Sequence, residues 1–201
     1  MLKFAAILYH VFFRMAIIAF YLSPNSCQLA WHNGENFFEE IHLLEPSQTH
    51  AGVLVSKISQ YLNTTPKIIA TTTGPGSFTS IRIQLATAIG LKIGYGAELF
   101  CPNTLEVLEY AFLGAIPCID SFRGDYFVKI NDEVMCKSED ELKSLKSQGK
   151  KLCGDLGETP KNLAKNLINY YIENPHLTTL NIPEPYYVRT PEYKTRTNFK
   201  G

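Results

Sequence analysis

Few residues in this 201-residue chain have types and spacings suited to chemistry. Gly74-Pro75-Gly76-Ser77-Phe78-Thr79 follows an apolar run and opens a helical one, a placement that suits anion binding at a helix N-terminus. It is not a Walker A loop, because no Gly-Lys-Ser/Thr follows, and it is not a dinucleotide fingerprint; Pro75 also removes a backbone donor. On local grounds a tight strand-to-helix turn accounts for it better, with Ser77 or Thr79 as the cap and Phe78 packed inside. Cys27, Cys101, Cys118, Cys136 and Cys153 form no C-x-x-C pair. They read as reduced thiols buried in a core, not as a zinc or redox site. His50 has no second His three or four residues away and reads as a helix-end hydrogen-bonding residue, not a metal ligand. Ser77, His50 and Asp120 could be drawn as a hydrolase triad, but G-x-S-x-G is absent and nothing in the spacing demands one.

Two further features are informative. Ala16 to Leu22 reads as a buried strand with no Asp or Glu. A first strand that holds metal ions or phosphates at its end needs a carboxylate, so a two-metal nuclease or kinase-type phosphotransferase is not expected. Farther on, Ala86, Gly90 and Gly94 recur at i, i+4 and i+8 of a helical run. Glycine inside a helix costs about 1 kcal/mol relative to alanine, so two of them need a packing reason. Either this face packs closely on the chain's own sheet or it receives a partner helix, and both can hold on opposite sides.

The elements that position these residues follow from periodicity. Cys27 to Trp31 and Asn36 to Leu44 read as strands joined by His32-Asn33-Gly34-Glu35, where Asn-Gly predicts a type I′ turn. Ala51, Leu54, Val55, Ile58, Tyr61 and Leu62 fall at helical spacing. Lys67 to Thr72 is a short strand, and Thr79 to Tyr95 a long helix. The resulting β-β-β-α-β-α order is that of the ribonuclease-H-like core shared by actin-like ATPases. A smaller α/β set follows: a strand at Glu98 to Cys101, a helix capped by Asn103 and Glu106, strands at Ile116 to Ser121 and Asp125 to Ile130, a helix opened by a Ser138/Glu141 capping box, and a last helix starting at Thr159-Pro160. The expected organisation is an N-terminal actin-like domain over 15–100 and a reduced second α/β domain with a C-terminal tail over 101–201.

The 19 Lys and Arg balance 19 Asp and Glu, so the chain lacks the basic surface that holds nucleic acid by its own field. With 45% hydrophobic and 12% aromatic residues it can build a core. Residues 1–14 are apolar, but His10 and Arg14 interrupt the run through Leu22 and no A-x-A site follows. They are read as an extension or a misplaced start, with Met15 as the alternative start, in preference to an export signal or a membrane span. Arg189, Lys194, Arg196 and Lys200 against Glu192 make a basic tail, read as solvated before RNA-contacting.

Thr73-Gly-Pro-Gly-Ser-Phe-Thr-Ser-Ile-Arg82 followed by Leu85-Ala-Thr-Ala-Ile-Gly-Leu91 resembles the G-P-G-S-F-T-G-L-R-x-G-x-A-x-A-K-G-L signature of the TsaB/YeaZ family. Asn103 to Leu108 is similar to its S-S-L-E-A-L segment, Asp120 to Asp125 to its D-A-R-R-x-E hairpin, and Pro185 to Pro191 to its P-x-Y-L-R-x-P. His50 stands where the family has a His, and the resemblance runs from about Met15 to Arg196. It implies an actin-like-fold scaffold subunit of the bacterial machinery that makes N6-threonylcarbamoyladenosine (t6A) in tRNA. Such a subunit is cytoplasmic and non-catalytic, and it pairs with the metal-bearing transferase TsaD through its first two helices; the ATPase TsaE joins the pair. Here those helices would supply His50, Leu54, Ile58, Ile83, Ala86, Thr87, Gly90, Leu91 and Gly94 as the interface, beside the motif loop Gly74 to Thr79 and Arg82. No cofactor or metal of its own is implied; ATP and metal belong to the partners, and tRNA is reached indirectly. The chain departs from the family where Tyr21-Leu22-Ser23 replaces D-T-S, where Ser80 replaces Gly, and where Ile89 replaces Lys. The first change argues against autonomous nucleotide binding. The alternatives are a hydrolase, either a glycoprotease-like peptidase or a nucleotide hydrolase, and a homodimeric module using the same helices.

Overall fold

A strand whose residues are apolar in both parities has no solvent face and must lie inside a sheet. In the computed structural model, which describes residues 15–45, 48–62, 64–178 and 182–189, β1 (Ala16–Leu22) does so. It sits at the centre of a five-stranded sheet ordered β3-β2-β1-β4-β5, with β2 at Ser26–Asn33, β3 at Phe37–Leu43, β4 at Ile68–Ala70 and β5 at Glu98–Phe100. β1 pairs antiparallel with β2 and parallel with β4. Its even residues Ile18, Phe20 and Leu22 face one layer of helices and its odd residues Ile17 and Ala19 face the other.

The first layer is α1 (His50–Tyr61) and α2 (Phe78–Tyr95), which bury Leu54, Ile58, Ile81, Leu85 and Ala88 on the sheet. The second is α3 (Thr104–Ala111) and α5 (Leu163–Glu173), which bury Leu105, Leu108, Leu167 and Ile168. Each such side chain removed from water contributes about 1.5–3 kcal/mol. The β-β-β-α-β-α order is present as read, and the architecture is the ribonuclease-H-like, actin-like one. A second sheet, ordered β8-β7-β6-β9, consists of β6 (Ala115–Asp120), β7 (Asp125–Ile130), β8 (Glu133–Ser138) and β9 (Lys151–Gly154), with α4 (Glu139–Ser147) covering it through Leu142.

Several boundaries differ from the sequence reading, each for a local reason. β8 and β9 were not anticipated; each carries two or three apolar residues, too few to show a period. The β7–β8 hairpin has the type I′ turn, at Asn131 (φ 52°) and Asp132 (φ 65°). At Asn33-Gly34 only the glycine has a positive φ (95°). There the Asn33 side chain accepts from the N–H groups of Glu35 (3.0 Å) and Asn36 (2.8 Å), which makes a longer loop. The last helix begins at Leu163, not at Thr159-Pro160. Asn162 is its cap, and Thr159 Oγ1 donates to Gly154 O (3.0 Å), holding that stretch against β9. The reading of residues 1–14, and of Glu192, Lys194, Arg196 and Lys200, lies outside the described residues.

The outermost strand β3 is gripped from both layers. Glu40 receives the Lys57 ammonium and the Tyr61 hydroxyl (2.9 Å) from α1. Glu39 pairs with Lys165 of α5 at 3.2 Å. The Asn162 amide donates to Leu29 O at 3.0 Å and to Glu40 O at 3.3 Å, tying the start of α5 to β2 and β3.

The hydrogen bond from Lys57, with that from Tyr61, holds the Glu40 carboxyl below its ordinary range against the opposing effect of burial. A carboxyl depressed in the folded state stabilises above its unfolded pKa, and that contribution is lost as pH falls through the folded value. Glu40→Gln is therefore expected to lower the free energy of urea unfolding by about 1 kcal/mol at pH 7. The difference from wild type should shrink steadily as pH falls below the ordinary glutamate pKa of about 4.3. A pH-independent difference would contradict this.

Candidate functional site

At the carboxyl end of the parallel strands, one buried side chain organises the surroundings. Gln84, on the sheet-facing side of α2, accepts from the Leu22 N–H at 3.0 Å. Its amide donates to Thr72 O at 2.7 Å and Thr72 Oγ1 at 3.0 Å. Thr104 Oγ1, in the first turn of α3, donates to Thr72 Oγ1 at 2.9 Å, and Thr71 Oγ1 donates to Phe20 O at 2.9 Å. The ends of β1 and β4 and the starts of α2 and α3 are thus locked together. Tyr21 occupies the end of β1 in place of a carboxylate; burial, with the nearby Asp155, pushes its phenol pKa up.

The motif loop follows directly. Gly74 has φ 110°, its peptide bond to Pro75 is cis, and its carbonyl accepts from the Thr104 N–H at 2.7 Å. A Cβ on Gly74 would lie 2.9 Å from Tyr186 O and 2.8 Å from Ile81 Cδ1, so glycine is required there by both conformation and space. Ser77 caps α2 by accepting from Ser80 N, one of the two caps the sequence offered. Phe78 is not packed inside as expected. It is 43% exposed, stacks on Tyr187 at 5.4 Å between ring centroids, and carries the Arg82 guanidinium 3.8 Å above its ring. Arg82 Nε also donates to Tyr187 Oη at 3.1 Å. This loop, the Ser121–Arg123 hairpin tip and the segment from Tyr186 to Arg189 line a cleft of about 650 Å³ between the two sheets.

The outer side of α2 is the second feature. Ala86, Gly90 and Gly94 are exposed, and a Cβ placed on either glycine would meet nothing within 4 Å. Packing on the chain's own sheet therefore does not explain them; Ile81, Gln84, Leu85 and Ala88 make that contact. Beside the ridge Ile93 is 79% exposed, and Val55 of the neighbouring α1 is 57% exposed. Both were missed by reading the motif alone, although a helix apolar on every side signals a second face to be covered. Of the other residues expected at a partner interface, Ile83, Thr87 and Leu91 are half-buried. Leu54 and Ile58 are not on the surface: they are 0% and 2% exposed within the chain's own core, because the apolar stripe of α1 faces the sheet. His50 is half-buried, with Nε2 3.1 Å from Pro24 O, to which it must be the donor.

Chemically reactive groups are poorly placed. Burial pushes the thiols of Cys27, Cys101, Cys118 and Cys153 up to about 12, where thiolate is negligible at neutral pH. Ser77 Oγ serves the helix cap, His50 bonds to Pro24 O, and Asp120 Oδ1 accepts from Phe122 N at 2.7 Å; no hydrogen bond joins the three. Among the described residues no group of three or more His, Cys, Asp or Glu could hold a metal ion, and no helix is long and apolar enough to cross a membrane.

Residues 47–124 match a family model described as TsaD: tRNA N6-adenosine threonylcarbamoyltransferase. Comparison with curated proteins yields no match. Among solved structures, the chain is similar to an uncharacterized Pseudomonas aeruginosa protein with similarity to peptidase YEAZ. The two share 19% identity over 62% of this chain and 64% of that one, with a TM-score of 0.50. YeaZ from Pseudomonas aeruginosa matches at 20% identity over 62% of this chain and 65% of that one, with a TM-score of 0.47. The chain thus spans less than two thirds of the length of either structure. At this identity the likeness to the first speaks for the fold alone.

Two stability measurements probe these features. Ser80 Oγ is a buried side-chain polar atom with no hydrogen-bond partner. Ser80→Ala is therefore expected to raise the urea-unfolding free energy, by about 1 kcal/mol; a comparable loss would mean the hydroxyl is satisfied. Gly90→Ala adds a methyl in open space on a helix interior and should also stabilise, by about 1 kcal/mol.

Proposed function

We propose, from a family match and a shared fold that support assignment to the TsaB/YeaZ family, that this chain is a non-catalytic subunit supporting a TsaD-like transferase in t6A modification of tRNA. The observation that carries the proposal is the outward ridge of α2. Two helix-interior glycines cost stability, and the folded chain offers no internal use for the space they leave. A closely approaching helix uses that space, and the adjoining exposed Ile93 and Val55 supply apolar area. The partner contact in this reading is Ile83, Ala86, Thr87, Gly90, Leu91 and Gly94, with Val55 and Ile93 added. A TsaE-like ATPase joins the pair, ATP and metal are held by the partners, and tRNA is reached through them. The balanced charge of the chain agrees with that division of labour. The setting is the cytoplasm.

Self-pairing through the same ridge is the second reading, because an exposed small-residue face serves either partner. The hydrolase reading has no geometric support, since Ser77, His50 and Asp120 are engaged elsewhere.

Purified chain is expected to co-elute with its cognate TsaD-like protein, and to show neither ATP turnover nor proteolysis alone. Gly90→Trp should keep the far-UV spectrum and melting behaviour while weakening the complex at least a hundredfold. Undiminished binding by that variant would remove the ridge from the interface. Light scattering of the free chain, with and without the partner, separates a competing homodimer from the heterodimer.

A further inference from the structure

The C-terminal segment takes part in neither sheet, yet it touches both. The Tyr186 N–H donates to Thr73 O at 2.8 Å, at the end of the first sheet's parallel strands. Tyr187 stacks on Phe78 and accepts from Arg82 Nε, both in the first turns of α2. Arg189 forms an ion pair with Asp125, at the foot of the β6–β7 hairpin in the second sheet. Asp125 in turn holds Ser121 Oγ, and Ser121 Oγ accepts from Arg123 N at 3.2 Å. One short stretch therefore joins the motif loop of one sheet to the hairpin tip of the other, along the wall of the cleft between them.

The attachments differ in kind. At the Thr73 end the carbonyl of Tyr186 approaches where Gly74 lacks a Cβ, so the fit is steric and local. At the Arg189 end attachment is through one partly exposed ion pair, 37% and 20% exposed for the two side chains, a bond that solvent and salt weaken. The middle is an aromatic stack, open to solvent on the Phe78 side, with one hydrogen bond from Arg82. Pro183 alone in the segment is buried; residues 184–189 are half-buried or exposed, so few contacts oppose their lifting.

We propose that residues 184–189, anchored at buried Pro183, are a strap that closes the cleft as one unit, and that breaking the Arg189–Asp125 pair releases these residues together and uncovers the motif loop. The strap thereby couples the hairpin tip of the second sheet to the first turn of α2, the helix that carries the exposed ridge. This goes beyond the proposed partnership and does not depend on it.

Hydrogen exchange on the full chain tests the idea. In wild type the Tyr186 amide is expected to be protected. In Asp125→Asn its exchange should rise at least tenfold, together with that of the loop amides from Gly76 to Thr79, while Ile18 and Ile69 in the sheet core stay unchanged. Tyr187→Ala should produce the reciprocal effect at the Ser121 and Arg123 amides. The charge-swapped double variant, Asp125→Arg with Arg189→Asp, should restore protection at Tyr186. The proposal is overturned if the wild-type Tyr186 amide exchanges like an unstructured peptide, or if the effect of Asp125→Asn stays confined to the hairpin. It is equally overturned if the loss of protection spreads to Ile18 and Ile69, because the segment would then be part of the global fold.

Discussion

The side-chain amide of Gln84 is satisfied only when three backbone segments are in place: the end of β1, the end of β4, and α2 itself. A buried amide left without partners costs more than its bonds contribute when made. The network therefore acts as a condition on the fold more than as a source of stability. Because Thr104 enters it through Thr72, the start of α3 is fixed by the same condition. The loop from Gly74 to Ser77 spans between these fixed points, and its conformation follows from theirs. A carboxylate on β1 is not needed for this arrangement. The Leu22 backbone N–H and a neutral amide hold that corner.

The same helix has two faces with opposite requirements. Toward the sheet α2 places Ile81, Gln84, Leu85 and Ala88, each nearly or wholly buried; away from it lie Ala86, Gly90 and Ile93. The sheet-facing side explains the helix's position and the outer side does not. That asymmetry separates residues that the chain's own packing accounts for from those that it does not. It also shows why Leu54 and Ile58, equally apolar and equally regular in spacing, belong with the first kind: they lie on the side of their helix that faces the sheet, whereas Val55 lies outside it.

What could be read from the sequence was what local chemistry decides. The unbroken apolar run of β1, the capping boxes of Asn103 with Glu106 and Ser138 with Glu141, and the helical spacing of α1 were all legible, and the structure contains each. The Ala86/Gly90/Gly94 ridge was visible as spacing, but its direction was not, since that depends on where the sheet lies. The exposure of Phe78 was illegible because its stacking partner Tyr187 stands more than a hundred residues away. β8 and β9 are strands by virtue of neighbours they pair with, not of a pattern they carry. The type I′ turn was expected at Asn33-Gly34 and found at Asn131-Asp132; both pairs admit it, and the length of the intervening loop decided between them.

The grip on β3 has an odd property. Its first four residues are two identical pairs, Phe37-Phe38 and Glu39-Glu40. A strand that slips by one residue moves every side chain to the opposite face. Lys165 lies 5.3 Å over the Phe37 ring and pairs with Glu39, and a slip in one direction puts Phe38 and Glu40 where these two stood, so Lys165 still finds an aromatic ring and a carboxylate. A slip the other way puts Glu39 where Glu40 stood, so Lys57 and Tyr61 still find a carboxylate. Either error keeps a Phe and a Glu on one face, so these four residues discriminate against misalignment less than a strict alternation would. The registry of this outer strand is then dictated mainly by the hinge it swings from: the Asn33 carboxamide, which counts out the residues between β2 and β3 by capturing the N–H groups of Glu35 and Asn36.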